Sequence, residues 1–307
     1  VKRTLKEWLD AFIPNIKKTA LSTEQVTNLN TVVEIAKNYF GEDEVITTPD
    51  IIAKMKAEVE EVKYLSGWRG LDEILKGFRP TQLVTLTGLT KHGKTTFAMD
   101  LASRMKPLSP LWFSFEETPE ELIRKFLDRR EEPPLFCAPS SIKDNSMFWL
   151  ETKIIESIAK YGTKVVFIDH LDFLVPYSED RNDLRIADTV RALKAMARRW
   201  NVTIFLLCHL VKARMDTMPT INELRGSAAI AQESDTVLII WRETTREKRE
   251  VKVTNNTVIS VQANRRTGST GNVKMVFKNG HFVEEDWAHA EEEDAESAAM
   301  TDLMEKM

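Results

Sequence analysis

Cysteine is almost missing from this chain. Only Cys137 and Cys208 occur in 307 residues, far apart and each in an apolar neighbourhood. They offer neither a disulfide framework nor a metal-ligand spacing, and they fit a reducing compartment. The five histidines are scattered as well, which argues against structural zinc. No apolar run approaches the roughly 20 residues that span a bilayer, so a soluble protein without a membrane partner is expected. The opening "VKRTLKEWLDAFIPNIKK" has basic residues but no uninterrupted apolar core and no small-residue cleavage site, so no secretory signal is expected. Charge of one sign is not in excess. A net charge of -4 neither predicts nor excludes nucleic acid, because acidic segments can mask a local basic surface. There is no internal repeat. The one biased segment is acidic: from Glu284 the chain reads "EEDWAHAEEEDAESAAMTDLMEKM", a solvated tail or a poorly anchored helix.

What is present is an ordinary globular composition, 42% apolar and 29% charged, long enough for one large domain and something smaller. Three amphipathic stretches come first: "TLKEWLDAFI", "STEQVTNLNTVVEIAKNYF" with a Ser-x-x-Gln capping pattern, and "PDIIAKMKAEVEEVKYL" with Pro in its first turn. After the punctuated segment "SGWRGLDEILKGFRPTQ" the pattern changes to short apolar runs separated by helical segments. We expect a helical region over 1–63, an α/β core over 64–285 and an acidic tail over 286–307. The runs "QLVTLTG", "LWFSFE", "KVVFID", "TIFLLCH", "TVLIIW" and "TVISVQA" are continuous and rich in β-branched and aromatic residues. Such runs form a mainly parallel sheet covered on both faces, an α/β fold whose ligands bind beyond the carboxyl ends of the strands.

Polar residues recur at those strand ends. "GLTKHGKTT" satisfies G-x-x-x-x-G-K-[ST] between a strand and a helix. Gly88 and Gly93 let backbone wrap a phosphate at the positive end of the following helix, Lys94 reaches the β and γ phosphates, Thr95 offers its hydroxyl to Mg²⁺, and Thr96 continues the turn. A nucleoside triphosphate with its metal is therefore the expected ligand. Asp169, ending "KVVFID", places a carboxylate beside that metal. Of the neighbours Glu116 and Glu117, adjacent strand positions that face opposite ways, we expect Glu116 to orient or deprotonate the attacking water; the plain alternative is that both favour the next helix's positive end. His209, ending "FLLCH", stands where a γ-phosphate sensor would stand, although a lone strand-end histidine is often only structural. The loop beyond it carries Lys212, Arg214 and Arg225-Gly226-Ser227, cations and small groups suited to a phosphate backbone, or else a solvated loop. Arg265 and Arg266 precede the turn "TGSTG". If their strand lies across the sheet they are poorly placed for their own phosphate loop but able to enter a neighbour's site, which requires an oligomer.

The order of these motifs resembles the hexameric replicative helicases of the DnaB-like superfamily, in particular the Twinkle and phage primase-helicase branch. It rests on "LDEILKGFRPTQLVTLTGLTKHGKTTFAMDLA", "LWFSFEE", "VVFIDHLDFL", "CHL", "INELRGSAAIAQESDTVLIIWR" and "NRRTGSTG", from about Tyr64 to Glu285. The resemblance implies a RecA-like P-loop core and a ring of six subunits, moving 5′ to 3′ on single-stranded DNA at a replication fork by hydrolysing ATP with Mg²⁺ between subunits. It assigns Lys94 and Thr95 to the Walker-A positions, Asp169 to Walker B, Glu116 to the catalytic glutamate and His209 to the sensor. Arg265, with Arg266 as the alternative, takes the finger position, and Arg242 that of a second site arginine. Lys212, Arg225, Gly226 and Ser227 fall where DNA-contacting loops occur. Many relatives carry Lys two residues before the finger, where this chain has Ala263. No primase-like region precedes the motor, so the chain is not expected to prime. The acidic tail resembles those that recruit a polymerase or primase. The setting implied is the cytoplasm of a bacterial or phage-infected cell, or an organellar matrix. A recombinase-like or regulatory RecA-fold ATPase without unwinding activity remains the alternative, and a small-molecule kinase a more distant one.

Overall fold

Five apolar runs and the helices between them form the parallel part of one sheet. The computed structural model describes residues 47–57, 62–129, 136–142, 144–175, 182–210, 217–223, 227–247 and 250–285. The chain divides into two units, Val1–Glu61 and Val62–Met307. In the first, the described part is one helix, α1 (Thr48–Ala57), with Pro49 in its first turn, where a missing N–H costs nothing. The two amphipathic stretches expected before it lie outside the described residues.

In the second unit, strands β1 (Leu83–Gly88), β2 (Leu111–Ser114), β3 (Val165–Asp169), β4 (Thr203–His209), β5 (Thr236–Glu247), β6 (Glu250–Asn264), β7 (Gly271–Lys278) and β8 (His281–Glu284) make one sheet. Its order is β2-β3-β4-β1-β5-β6-β7-β8. Strands β2, β3, β4, β1 and β5 are mutually parallel, and β6, β7 and β8 continue antiparallel. Helices α2 (Arg69–Leu75), α3 (Lys94–Arg104), α4 (Pro119–Asp128), α5 (Met147–Tyr161), α6 (Asn182–Arg199) and α7 (Ser227–Glu233) accompany it. Among the described residues, no helix is long and apolar enough to cross a membrane.

The strand period of two sends successive apolar residues to two different cores. Val84, Leu86, Val165, Phe167, Phe205, Leu207, Leu238 and Ile240 join Leu71, Phe97, Leu122 and Phe126 of α2, α3 and α4. Their sequence neighbours Leu83, Val166, Ile168, Ile204, Leu206 and Val237 join Leu150, Ile154, Val190 and Leu193 of α5 and α6. Both faces are dry, which is why these strands read as unbroken apolar runs. Across three of them Trp112, Phe167 and Phe205 stack at centroid spacings of 4.7 and 4.8 Å, fixing the strands' relative heights.

Three features depart from the sequence reading. The punctuated segment before β1 contains α2, whose buried Leu71 and Leu75 anchor it while the Asp72 carboxylate accepts from the Ser66 and Gly67 N–H groups at 2.8 and 3.1 Å. The sheet gains β7 and β8 beyond the expected last strand. Glu284, read as the start of the acidic tail, belongs to β8 and accepts from the Arg69 and Gly70 amides at 3.1 and 2.7 Å, countering the positive start of α2. The rest of the acidic segment, 286–307, lies outside the described residues.

Candidate active site

The phosphate-loop sequence builds an open helix start. Gly93 precedes α3 with φ 88°, a left-handed conformation that L side chains rarely adopt, and no side chain caps the helix. A Cβ on Gly93 would lie 2.9 Å from Phe282 Cζ, and one on Gly88 would lie 2.3 Å from the Ile240 carbonyl oxygen. Both positions exclude any larger residue, and the first N–H groups of α3 are left free of side-chain caps, as a phosphate cradle needs.

Helix α3 is held from behind. Its Asp100, buried, accepts from Arg129 Nη1 at 2.8 Å and from the Phe282 amide at 2.9 Å, and meets His281 Nδ1 at 3.0 Å. Phe97 stacks on Trp68 at 4.8 Å. The start of α3 is thus fixed to β8 as well as to β1. His92, within the loop, is fully buried, and its Nδ1 accepts from the Arg242 amide at 3.0 Å, tying the loop to β5. That bond leaves the proton on Nε2, which has no hydrogen-bond partner among the described residues. Burial, aided by Arg242 and Lys94, lowers the His92 pKa to about 4. Above pH ~6.5 this imidazole is neutral in both folded and unfolded chains. Between there and about 4 only the unfolded chain takes up a proton. Stability is therefore expected to fall with falling pH across that window, by at most about 1.4 kcal/mol per pH unit from this group. Comparing denaturant midpoints of the parent and His92→Asn, whose amide oxygen keeps the acceptor, checks it: the variant should lack this component.

Lys94 is buried, and its Nζ donates to the Gly88 and Leu89 carbonyls at 3.0 and 3.1 Å, arched over the loop. Burial lowers its pKa, while Asp169 and Glu116 pull it back up. The Thr95 hydroxyl donates to Asp169 Oδ2 at 2.8 Å. Burial raises the Asp169 pKa, against the Thr95 bond, and nearby Glu116 adds to the rise. A hydroxyl and a buried carboxylate in contact at a phosphate cradle are the hard oxygen donors that suit Mg²⁺, and a divalent charge there would reverse the electrostatic strain on Asp169. Thr96 lies in the same turn, half-buried.

Register brings the remaining strand ends together. Gly88 pairs with His209 and Ser114 with Asp169, so β2, β3, β4 and β1 end along one edge. Strand β2 stops at Ser114, so Glu116 and Glu117 diverge in the turn that follows and not, as expected, on the strand itself. Glu117 pairs with Lys125 of α4, while Glu116 turns to the strand ends, with Oε1 3.1 Å from His170 Nδ1 and 3.8 Å from His209 Nε2. Burial lowers the His209 pKa, keeping its imidazole neutral at ordinary pH. Cys208 is fully buried and its thiol pKa is pushed up, so it contributes packing and not nucleophilic chemistry. His170 was not singled out from sequence; its signal would have been a histidine between two aspartates, "DHLD", at a strand end.

Three expected site residues are elsewhere or only partly there. Arg242 reaches the loop through its backbone, but its guanidinium donates to the Thr254 carbonyl and to Asn255 Oδ1 at 2.9 and 3.2 Å and lies 4.5 Å over the Phe277 ring. Its side chain is held within the β5–β6 hairpin. Arg265 and Arg266 follow β6 at the opposite edge of the sheet: Asn264 pairs with Thr236, which pairs with Val84, four residues before Gly88. At about 3.3 Å per residue that separates Arg265 from its own phosphate loop by upwards of roughly 13 Å. Its amide donates to the Asp235 carbonyl at 2.7 Å, its Nη2 meets the Gln232 carbonyl, and it is exposed. Lys212, Arg214, Arg225 and Gly226 lie outside the described residues, and Ser227 is described only as the first residue of α7.

Comparison with known proteins agrees with this fold. Residues 64–135 and 131–284 match the family model described as "DnaB-like helicase C terminal domain". The replicative DNA helicase DnaB of Haemophilus influenzae is 26% identical over 270 residues, covering 76% of this chain and 57% of that protein. The DnaB of Leifsonia xyli subsp. xyli is 25% identical over 246 residues, covering 69% of this chain and 53% of that protein. The chain thus spans somewhat more than half the length of these relatives. A solved ATPase domain superposes with a TM-score of 0.67 at 21% identity, covering 78% of this chain and 99% of that one. A solved DnaB-like replicative helicase, described with its interactions with primase, superposes with a TM-score of 0.64 at 21% identity, covering 84% of this chain and 73% of that one. These likenesses show the fold.

Proposed function

We propose, from the premise that this chain belongs to the family of DnaB-like helicase C-terminal domains, that it is the ATP-driven motor of a replicative DNA helicase, acting as a ring on single-stranded DNA. The observation that carries this reading is the division of its polar residues between two edges of one sheet. Lys94, Thr95, Asp169, Glu116 and His209 gather at one edge, and Arg265 stands at the other. A subunit packed against the phosphate-loop edge of its neighbour supplies the arginine that each chain cannot supply to itself.

In this reading the start of α3 and Lys94 hold the β and γ phosphates of ATP, and Thr95 and Asp169 hold Mg²⁺, which when bound neutralises phosphate charge. Glu116 takes the proton of the attacking water, its carboxylate close to the metal ligands without being one. The neighbour's Arg265 stabilises charge on the transferred phosphoryl group, with Arg266 behind it. His209 senses the γ-phosphate at the end of β4, and the chain after it, with Lys212, Arg214, Arg225, Gly226 and Ser227, grips DNA phosphates. Arg242 supports the loop from its backbone. Successive hydrolysis around a ring, which we take to be hexameric, moves those loops 5′ to 3′. The acidic tail recruits a polymerase or primase, and the setting is a reducing compartment that carries out DNA replication. A fork with one labelled strand tests the reading: ATP-dependent strand displacement, dependent on a 5′ tail, is expected. Hydrolysis and DNA binding without displacement would instead indicate a recombinase-like or regulatory ATPase.

A further inference from the structure

Between Asp169 and the apolar Leu171 stands a histidine that the phosphate-loop chemistry does not use. His170 is buried, and four groups surround its ring. Its Nδ1 is 3.1 Å from Glu116 Oε1, its Nε2 is 3.4 Å from Asp172 Oδ2, and its ring meets Phe173 edge-on at 4.9 Å between centroids. The His209 ring lies across it at 4.2 Å and a 76° angle. The separation from Glu116 is that of a hydrogen bond, but the angle is not met, and Nδ1 has no hydrogen-bond partner among the described residues. Glu116 is the partner free to correct this, because its side chain is 41% exposed whereas that of His170 is 8% exposed.

We infer that His170 is a positioning residue: clamped by Asp172 and Phe173, it presents Nδ1 to Glu116 and fixes the carboxylate that activates the attacking water. The chemistry requires such a brace. Glu116 stands two residues beyond Ser114, the end of edge strand β2, and one beyond Phe115, whose amide makes the last bond to β3, while its neighbour Glu117 is drawn away to Lys125. A general base displaced by about 1 Å loses on the order of 10²-fold in rate. His209, at 3.8 Å from the same oxygen, is too far to hold it alone but near enough to disturb it when it moves. Asp172 Oδ2, 3.4 Å from the far nitrogen, packs beside the ring and with Phe173 limits its rotation.

This inference rests on Glu116 being the base, and the two are separable by experiment. The tests are steady-state ATP hydrolysis with single-stranded DNA and equilibrium binding of a fluorescent ATP analogue, on the full chain. His170→Asn places an amide nitrogen near Nδ1, and His170→Gln places one near Nε2. If His170 acts through Nδ1, kcat should drop about 10²-fold in His170→Ala and His170→Gln and recover to within about threefold in His170→Asn, with KM for ATP and analogue affinity unchanged throughout. In a Glu116→Gln background, His170→Ala should cost nothing further. Equal losses in the Asn and Gln variants, losses that follow analogue affinity, or a further loss in the Glu116→Gln background would each overturn it. A Glu116→Gln chain that keeps its turnover would remove the base assignment itself, and the inference with it.

Discussion

Lys94→Ala is expected to abolish ATP hydrolysis, with turnover reduced by about 10³-fold or more, and to weaken nucleotide binding. Two observations set the size of this effect. The ammonium is buried and, among the described residues, bonded only to the loop's own carbonyls, Gly88 at 3.0 Å and Leu89 at 3.1 Å, so its charge is poorly matched by solvent. The charge that develops on a transferred phosphoryl group would meet it at low dielectric, where a fixed donor contributes several kcal/mol. The fold should persist, because the Lys94 side chain bonds within the phosphate loop and joins no element to another. Hydrolysis assays alongside analogue binding and circular dichroism check all three parts. Turnover within tenfold of the parent would show that the loop does not act on a triphosphate.

Arg265→Ala is the second large effect, and it differs in kind. Turnover should fall by about 10³-fold, the range for a transition-state arginine, while each chain still binds nucleotide through its intact loop. The substitution should not unfold the chain, because Arg265 is exposed and its side chain meets the Gln232 carbonyl at the surface. Its placement comes from the backbone: β6 ends beside Thr236, at the start of β5, and the amide bond from Arg265 to the Asp235 carbonyl fixes the turn. Asp235 is itself braced by Lys194 and by the Leu83 amide. Ala263, two residues before Arg265, packs against the core and offers no charge there. Normal turnover in Arg265→Ala would pass the role to Arg266 or remove it.

Much of this arrangement was legible because it follows from local chemistry. The phosphate loop needs particular residues at fixed spacing, and strands buried on both faces leave continuous apolar runs, so "GLTKHGKTT" and the first five strands stood out. The convergence of Gly88, Glu116, Asp169 and His209 then followed from the rule that ligands gather at carboxyl strand ends. Other parts depend on contacts that sequence spacing does not encode. Strands β7 and β8 are half-solvated and alternate weakly, with Lys274, Lys278 and His281 among their apolar residues, so they carried no strong pattern. Helix α2 is short and flanked by glycines, and burial of Leu71 and Leu75 holds it, against its local propensity. Arg242 was expected to face nucleotide, but a nearer carbonyl on β6 and the Phe277 ring claim its guanidinium. His92 makes sense only once β5 is beside the loop, since its partner is 150 residues away. His170 was hidden for the same reason: its meaning lies in Glu116, brought to it by pairing of β2 with β3.

The claim on which all of this depends is that one active site is assembled from two chains. Co-expressed Lys94→Ala and Arg265→Ala subunits, purified as mixed assemblies and assayed for ATP hydrolysis with single-stranded DNA, measure it directly. Wherever an Arg265→Ala subunit presents its intact loop to the intact Arg265 of a Lys94→Ala neighbour, a complete site forms. Mixed assemblies should therefore regain turnover that neither variant has alone, most strongly near equal proportions. Mixed assemblies as inactive as their parents would contradict the account.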